Sequence, residues 1–125
     1  MPTLIACLSS GKGTWSEVLR IIQGEPWQHV FLVTDSFGQE KFPLKREHLS
    51  FVLVNIFQET PLLVTAIKQQ LQGKIADFEV GLNLASGSGK EHMAVLQAVM
   101  ELGLNFRLVT LKNQQPEVLG LERNA

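Results

Sequence analysis

The chain has a single cysteine, Cys7, among 125 residues, so neither an intrachain disulfide nor a cysteine-rich zinc site can form. That scarcity points to a reducing compartment. Charge of one sign is also lacking: 11 basic against 12 acidic residues leave a formal charge of -1. There is thus no global electrostatic ground for wrapping duplex nucleic acid or sitting on an anionic membrane, and any phosphate binding must be local. No apolar run approaches the roughly 20 residues that span a bilayer. The start, Met1-Pro2-Thr3, then a short apolar stretch and Ser9-Ser10-Gly11-Lys12, lacks the basic region and longer apolar segment of a secretory signal. A soluble, cytoplasmic protein is the expectation. His29, His48 and His92 show no metal-ligand spacing, so no metal and no cofactor is expected. His29 and His48 read as structural or solvated, and His92 as a residue at the rim of a site.

What is present is apolar content of 45%, enough for one core in one domain over residues 1–125, with 112–125 a polar tail. Five runs rich in β-branched or aromatic residues read as strands: Thr3 to Ser9, His29 to Thr34, Phe51 to Ile56, Phe78 to Leu84 and Phe106 to Leu111. They are nearly continuous rather than alternating, as strands buried on both faces of a parallel sheet should be. Between them, Thr14 to Gln23 has Trp15, Val18, Leu19 and Ile22 at helical spacing, with Thr14 and Glu17 spaced as a capping box. Thr60 to Gln72 has Pro61 at its start and Gly73 at its end. A third helix, Lys90 to Leu102, is apolar nearly all round, which predicts burial against the sheet and against something else. Residues Ser36 to Ser50, broken by Gly38 and Pro43, read as loop with one helical turn, and Lys45-Arg46 as solvated. The alternation predicts an α/β fold, a Rossmann-like three-layer sandwich around a mostly parallel five-stranded sheet. Its ligand crevice lies outside the carboxyl ends of the strands.

Two glycine loops occupy such ends: Ser9-Ser10-Gly11-Lys12-Gly13-Thr14 after the first strand and Ala85-Ser86-Gly87-Ser88-Gly89-Lys90 after the fourth. Glycine lets backbone approach a ligand closely, a helix N-terminus favours an anion, and Ser and Lys add donors and charge. Neither is an ATPase-type phosphate loop, because Leu84 stands where glycine is required and Glu91 where Ser or Thr would hold magnesium. The first loop also lacks the dinucleotide fingerprint, since Ser16 stands three residues after Gly13. Trp15 and Trp27 read as packing residues, with stacking of Trp15 on a base open.

The segment Gly81-Leu82-Asn83-Leu84-Ala85-Ser86-Gly87-Ser88-Gly89-Lys90 and the small, apolar helix after it resemble the signature of CRISPR-associated Rossmann-fold (CARF) domains. Those domains carry a strand ending in Asn, a Thr-Gly-Gly-Thr-Lys-like loop and a helix rich in Ala, Met and Leu. Ser9 and Ser10 stand at the family's second ligand-contacting element. The adjacent glycine pair is absent, and the chain ends where most members continue into an effector, so the resemblance implies a stand-alone sensor, a sink or a ring-opening enzyme. It implies a cyclic oligoadenylate ligand, most often the tetramer, bound across a homodimer in CRISPR antiviral signalling. The implied binding set is Ser9, Ser10, Gly11, Lys12, Gly13, Thr14, Asn83, Ala85, Ser86, Gly87, Ser88, Gly89 and Lys90. Where members cleave the ring, the implied positions are Ser9 or Ser10 and Lys90, with the ribose 2′-hydroxyl attacking without a metal. A mononucleotide or phosphometabolite module of the same architecture, and a non-catalytic dimeric interaction protein, remain open on the residues alone.

Overall fold

A computed structural model describes residues 2–9 and 13–120. Strands and helices follow one another as β1 (Thr3–Cys7), α1 (Trp15–Gly24), β2 (His29–Thr34), α2 (Ser36–Lys41), β3 (Leu49–Leu53), α3 (Thr60–Leu71), β4 (Glu79–Asn83), α4 (Gly89–Glu101), β5 (Asn105–Lys112) and β6 (Gln115–Val118). The sheet runs in the order β3-β2-β1-β4-β5-β6, with β1 to β5 parallel and β6 antiparallel to β5. The fold is α/β with a six-stranded, mostly parallel sheet.

Successive side chains of a strand point to opposite faces, so the buried strand β1 feeds two cores. Ile5 and Cys7 join Phe31, Val33 and Val52 in one core with Leu63 and Ile67 of α3 and Ala94, Val95, Ala98 and Val99 of α4. Leu4, Ala6 and Leu8 join Val30 and Leu32 in the other, with Trp15, Val18, Ile21 and Ile22 of α1. Each fully buried aliphatic side chain contributes about 1.5–3 kcal/mol of transfer free energy. This double demand is why the sequence of β1 and β2 is an unbroken apolar run.

Five strands were expected and the described residues form six; the extra one lies in the tail read as merely polar. Lys112 pairs with Gln115 across a two-residue loop, Asn113 at φ 52 and Gln114 at φ 66, the doubly left-handed form that fits the twist of a hairpin. Pro116 sits on this edge strand, where a missing N–H is tolerated, and packs so closely on the end of α1 that a Cβ on Gly24 would lie 2.5 Å from its Cδ. The segment read as loop also holds more order. Asp35 caps α2 by accepting the Gly38 N–H at 3.0 Å, and Phe42 is buried edge-on against Trp15 and Phe51. Lys45 is engaged, its ammonium 5.4 Å from the Phe51 ring centroid and donating to the Phe42 carbonyl. Strand β3 accordingly begins at Leu49, paired with Val30.

Two helix expectations change. Thr14 precedes α1 without a side-chain capping bond, so the Thr14 and Glu17 pair makes no capping box. The second partner of α4 is α3, joined by Lys68 Nζ donating to Glu101 at 3.0 Å, while Met93 and Met100 remain 59% and 55% exposed. No helix among the described residues is long and apolar enough to cross a membrane.

Candidate functional site

The order β3-β2-β1-β4-β5 reverses at β1 and β4, which lie side by side with Ala6 paired to Asn83. Beyond such a reversal the following loops diverge to opposite faces and leave a crevice at the carboxyl ends. Here the two glycine loops are tied together across it. The Ser9 N–H donates to Ser86 Oγ at 2.7 Å, and the Ser86 side chain is 1% exposed. Trp15 holds Ser9 from the α1 side, its indole N–H donating to the Ser9 carbonyl at 3.1 Å. Held there, tilted against Phe37 and edge-on to Phe42, the Trp15 ring is core and does not face the crevice.

The second loop is shaped from within. Buried Asn83 donates from its amide to the Val109 carbonyl at 2.8 Å and accepts the Ala85 N–H at 3.3 Å, so it fixes the exit of β4 against β5. Gly87 has φ 96, a conformation that calls for glycine, and the space is also tight, since a Cβ there would lie 3.0 Å from the Glu91 carboxylate and 3.2 Å from Cys7. Gly13 and Gly89 differ, since a Cβ on either meets nothing within 4 Å. Ser88 and Glu91 form a capping box at the start of α4, with the hydroxyl 2.7 Å and the Ser88 N–H 3.4 Å from the carboxylate. His92 donates from Nε2 to the Ser86 carbonyl at 2.7 Å; a carbonyl only accepts, so this nitrogen carries the proton.

The crevice of about 320 Å³ is lined by Ser9, Ile56, Phe57, Gly87, Ser88 and Glu91. A second hollow of about 410 Å³ shares Ile56 and Phe57 with it and extends to Asp35, Ser36 and Asn55 after β2 and β3. Lys90 does not point its charge freely into either. Its ammonium donates to the Ile56 carbonyl at 3.0 Å and pins the β3–α3 connection to α4. Glu91, 8% exposed, is the acidic group of the crevice, and a carboxylate in the first turn is what the helix field favours. Beneath it the Cys7 thiol is pushed up to about 12 by burial and then by the Glu91 charge, so it stays protonated and inert at neutral pH.

Of the residues singled out in the sequence, Ser9, Gly87 and Ser88 line the crevice. Ser86 and Asn83 build it from behind, and Ala85, Gly89, Gly13 and Thr14 are exposed on its flanking turns. Ser10, Gly11 and Lys12 lie outside the described residues. Sequence reasoning missed Glu91, which Ser88-x-x-Glu91 signals as a capping box, and Ile56, Phe57, Asp35 and Asn55, which no motif marks. Among the described residues no three His, Cys, Asp or Glu side chains gather to hold a metal ion. No protein-family model matches the chain, and no curated protein matches it.

Proposed function

We propose that this chain is a CARF-like, Rossmann-like three-layer domain that binds a cyclic oligoadenylate, the tetramer above all, across a homodimer in CRISPR antiviral signalling. The observation that carries the reading is the bond between Ser9 and Ser86, which ties the two loops of the resemblance together beside a crevice of about 320 Å³. That volume falls within the roughly 300–1,000 Å³ of small-ligand sites. A two-fold axis presents the same loops to equivalent halves of a ring, so ligand and protein symmetry match.

Glu91 decides where phosphate goes. An anion drawn to the first turn of α4 meets a like charge, so the phosphates belong on the β1–α1 side, where Thr14 makes no capping bond and Lys12 supplies a cation by sequence. Lys90 then acts by holding the β3–α3 connection. Titration calorimetry with cyclic tetraadenylate, linear tetraadenylate and AMP tests the reading. Saturable binding of one ring per dimer, tighter than the linear form, supports it, and no heat with the ring overturns it. AMP binding in preference to the ring favours the mononucleotide module. Mass analysis of the same ring samples in excess EDTA separates a ring-opening enzyme, which leaves 2′,3′-cyclic phosphate ends by attack of the ribose 2′-hydroxyl, from a sensor or sink that returns the ring intact.

A further inference from the structure

Phe57 is 88% exposed, a position an aromatic ring of this size leaves water to avoid. Single exposed apolar residues are ordinary, and Phe78 is 86% exposed just ahead of β4, at the amino ends of the strands, away from the crevice. Phe57 differs in where it stands and in how it is held. It forms the wall shared by the two hollows at the carboxyl ends, with Ser9, Ser88 and Glu91 on one side and Asp35, Ser36 and Asn55 on the other.

The connection that carries it is built, with its polar backbone already used. The Val54 N–H donates to the Thr34 carbonyl at 2.9 Å, the Gln58 N–H to the Asn55 carbonyl at 3.0 Å, and the Phe57 N–H to Asn55 Oδ1 at 3.0 Å. Lys90 anchors the Ile56 carbonyl, and the Ile56 side chain packs on the core. With residue 56 turned inward and pinned, residue 57 is turned outward at a fixed place, so little ordering cost remains when a ligand meets it.

We infer that Phe57 is a stacking platform for a nucleobase, set between the two hollows so that the base lies on the ring while its polar edge faces Asp35 and Asn55. This rests on the reading of the crevice as a nucleotide site. An aromatic face stacks on any base with little sequence preference, while a carboxylate beside it accepts from an exocyclic amine such as that of adenine. Lys90 is in this arrangement a positioning residue.

Two variants test it, each checked for native circular dichroism. Phe57→Ala lowers affinity for cyclic tetraadenylate by about tenfold or more, as loss of one stacked base does. Phe57→Trp retains affinity, and its fluorescence, taken against the parent protein with its buried Trp15 and Trp27, is quenched saturably by AMP and unchanged by ribose 5-phosphate, which has no base. If the parent binds the ring and Phe57→Ala binds it equally well, the stacking role is overturned and the oligoadenylate reading stands. If the parent ignores the ring and AMP still quenches the introduced indole, the oligoadenylate reading fails and the stacking role stands. Quenching by ribose 5-phosphate as strongly as by AMP, or by neither, overturns it.

Discussion

Ser86 carries two bonds that hold the crevice together: its hydroxyl accepts from the Ser9 backbone, and its carbonyl accepts from His92. The hydroxyl is buried, so Ser86→Ala leaves the Ser9 N–H facing an apolar methyl group. The expected cost is about 1–3 kcal/mol in urea denaturation, with weaker ligand binding because the two loops part, and Ser86→Thr recovers part of both. His29 is a second residue whose surroundings set a measurable property. It stacks on Phe31 at 4.2 Å between ring centroids, and burial, then the charges of His48 and Lys74, holds its pKa below the usual 6.5. The unfolded chain therefore takes up a proton at His29 before the folded one does. Stability from the neutral ring is complete above about 6.5 and lost as pH falls through the lowered folded value. Denaturant midpoints should fall between about pH 7 and about pH 5, and His29→Gln should flatten that slope.

The β5–β6 hairpin turns on two non-glycine residues in left-handed conformation, Asn113 and Gln114. Asn tolerates that region better than Gln, for which it costs roughly 1–2 kcal/mol, and the flexibility of glycine in the unfolded chain returns roughly 0.5–1 of any gain. Gln114→Gly should therefore raise stability by about 0.5–1 kcal/mol, visible as an increase of a few degrees in the thermal midpoint. The same residues explain why this element was hidden. Strands β1, β2, β4 and β5 and helices α1, α3 and α4 announce themselves through apolar period and glycine stops, whereas a hairpin without Asn-Gly or Asp-Gly gives no local turn signal. Helix α2 and the start of β3 were hidden likewise, because they depend on Phe42 finding Trp15 and Phe51 across the fold and on His48 at φ 64. In the site, the two glycine loops were legible as loops that meet, since strand ends converge in a parallel sheet. The direction of Lys90 was not, because its partner Ile56 is 34 residues away and was placed by folding alone.

At the scale of the whole molecule, helix α4 leaves apolar side chains on the face that neither the sheet nor α3 covers. Met93 and Met100 are seven residues apart, hence on one face of α4, and both are more than half exposed. Between the helices runs a groove of about 530 Å³, where Pro61, Val64 and Met93 alternate with the polar Thr60, Thr65, Gln97 and Glu101. Thioether side chains adapt their shape to a partner, and fully burying one in a contact contributes about 1.5–3 kcal/mol. In a two-fold dimer each substitution acts twice, so a single charge placed on this face weakens assembly disproportionately. The proposed ring-binding protein should therefore sediment as a dimer at tens of micromolar, and Met93→Glu with Met100→Glu should sediment as a folded monomer. Both methionines stand on the solvent side of α4, so the circular dichroism and thermal midpoint should change little. If the monomeric variant binds cyclic tetraadenylate as tightly as the parent, the ring is held within one subunit and the shared-site model falls. If the parent is itself a monomer at these concentrations, and remains one when saturated with the ring, the dimer is removed from the mechanism altogether.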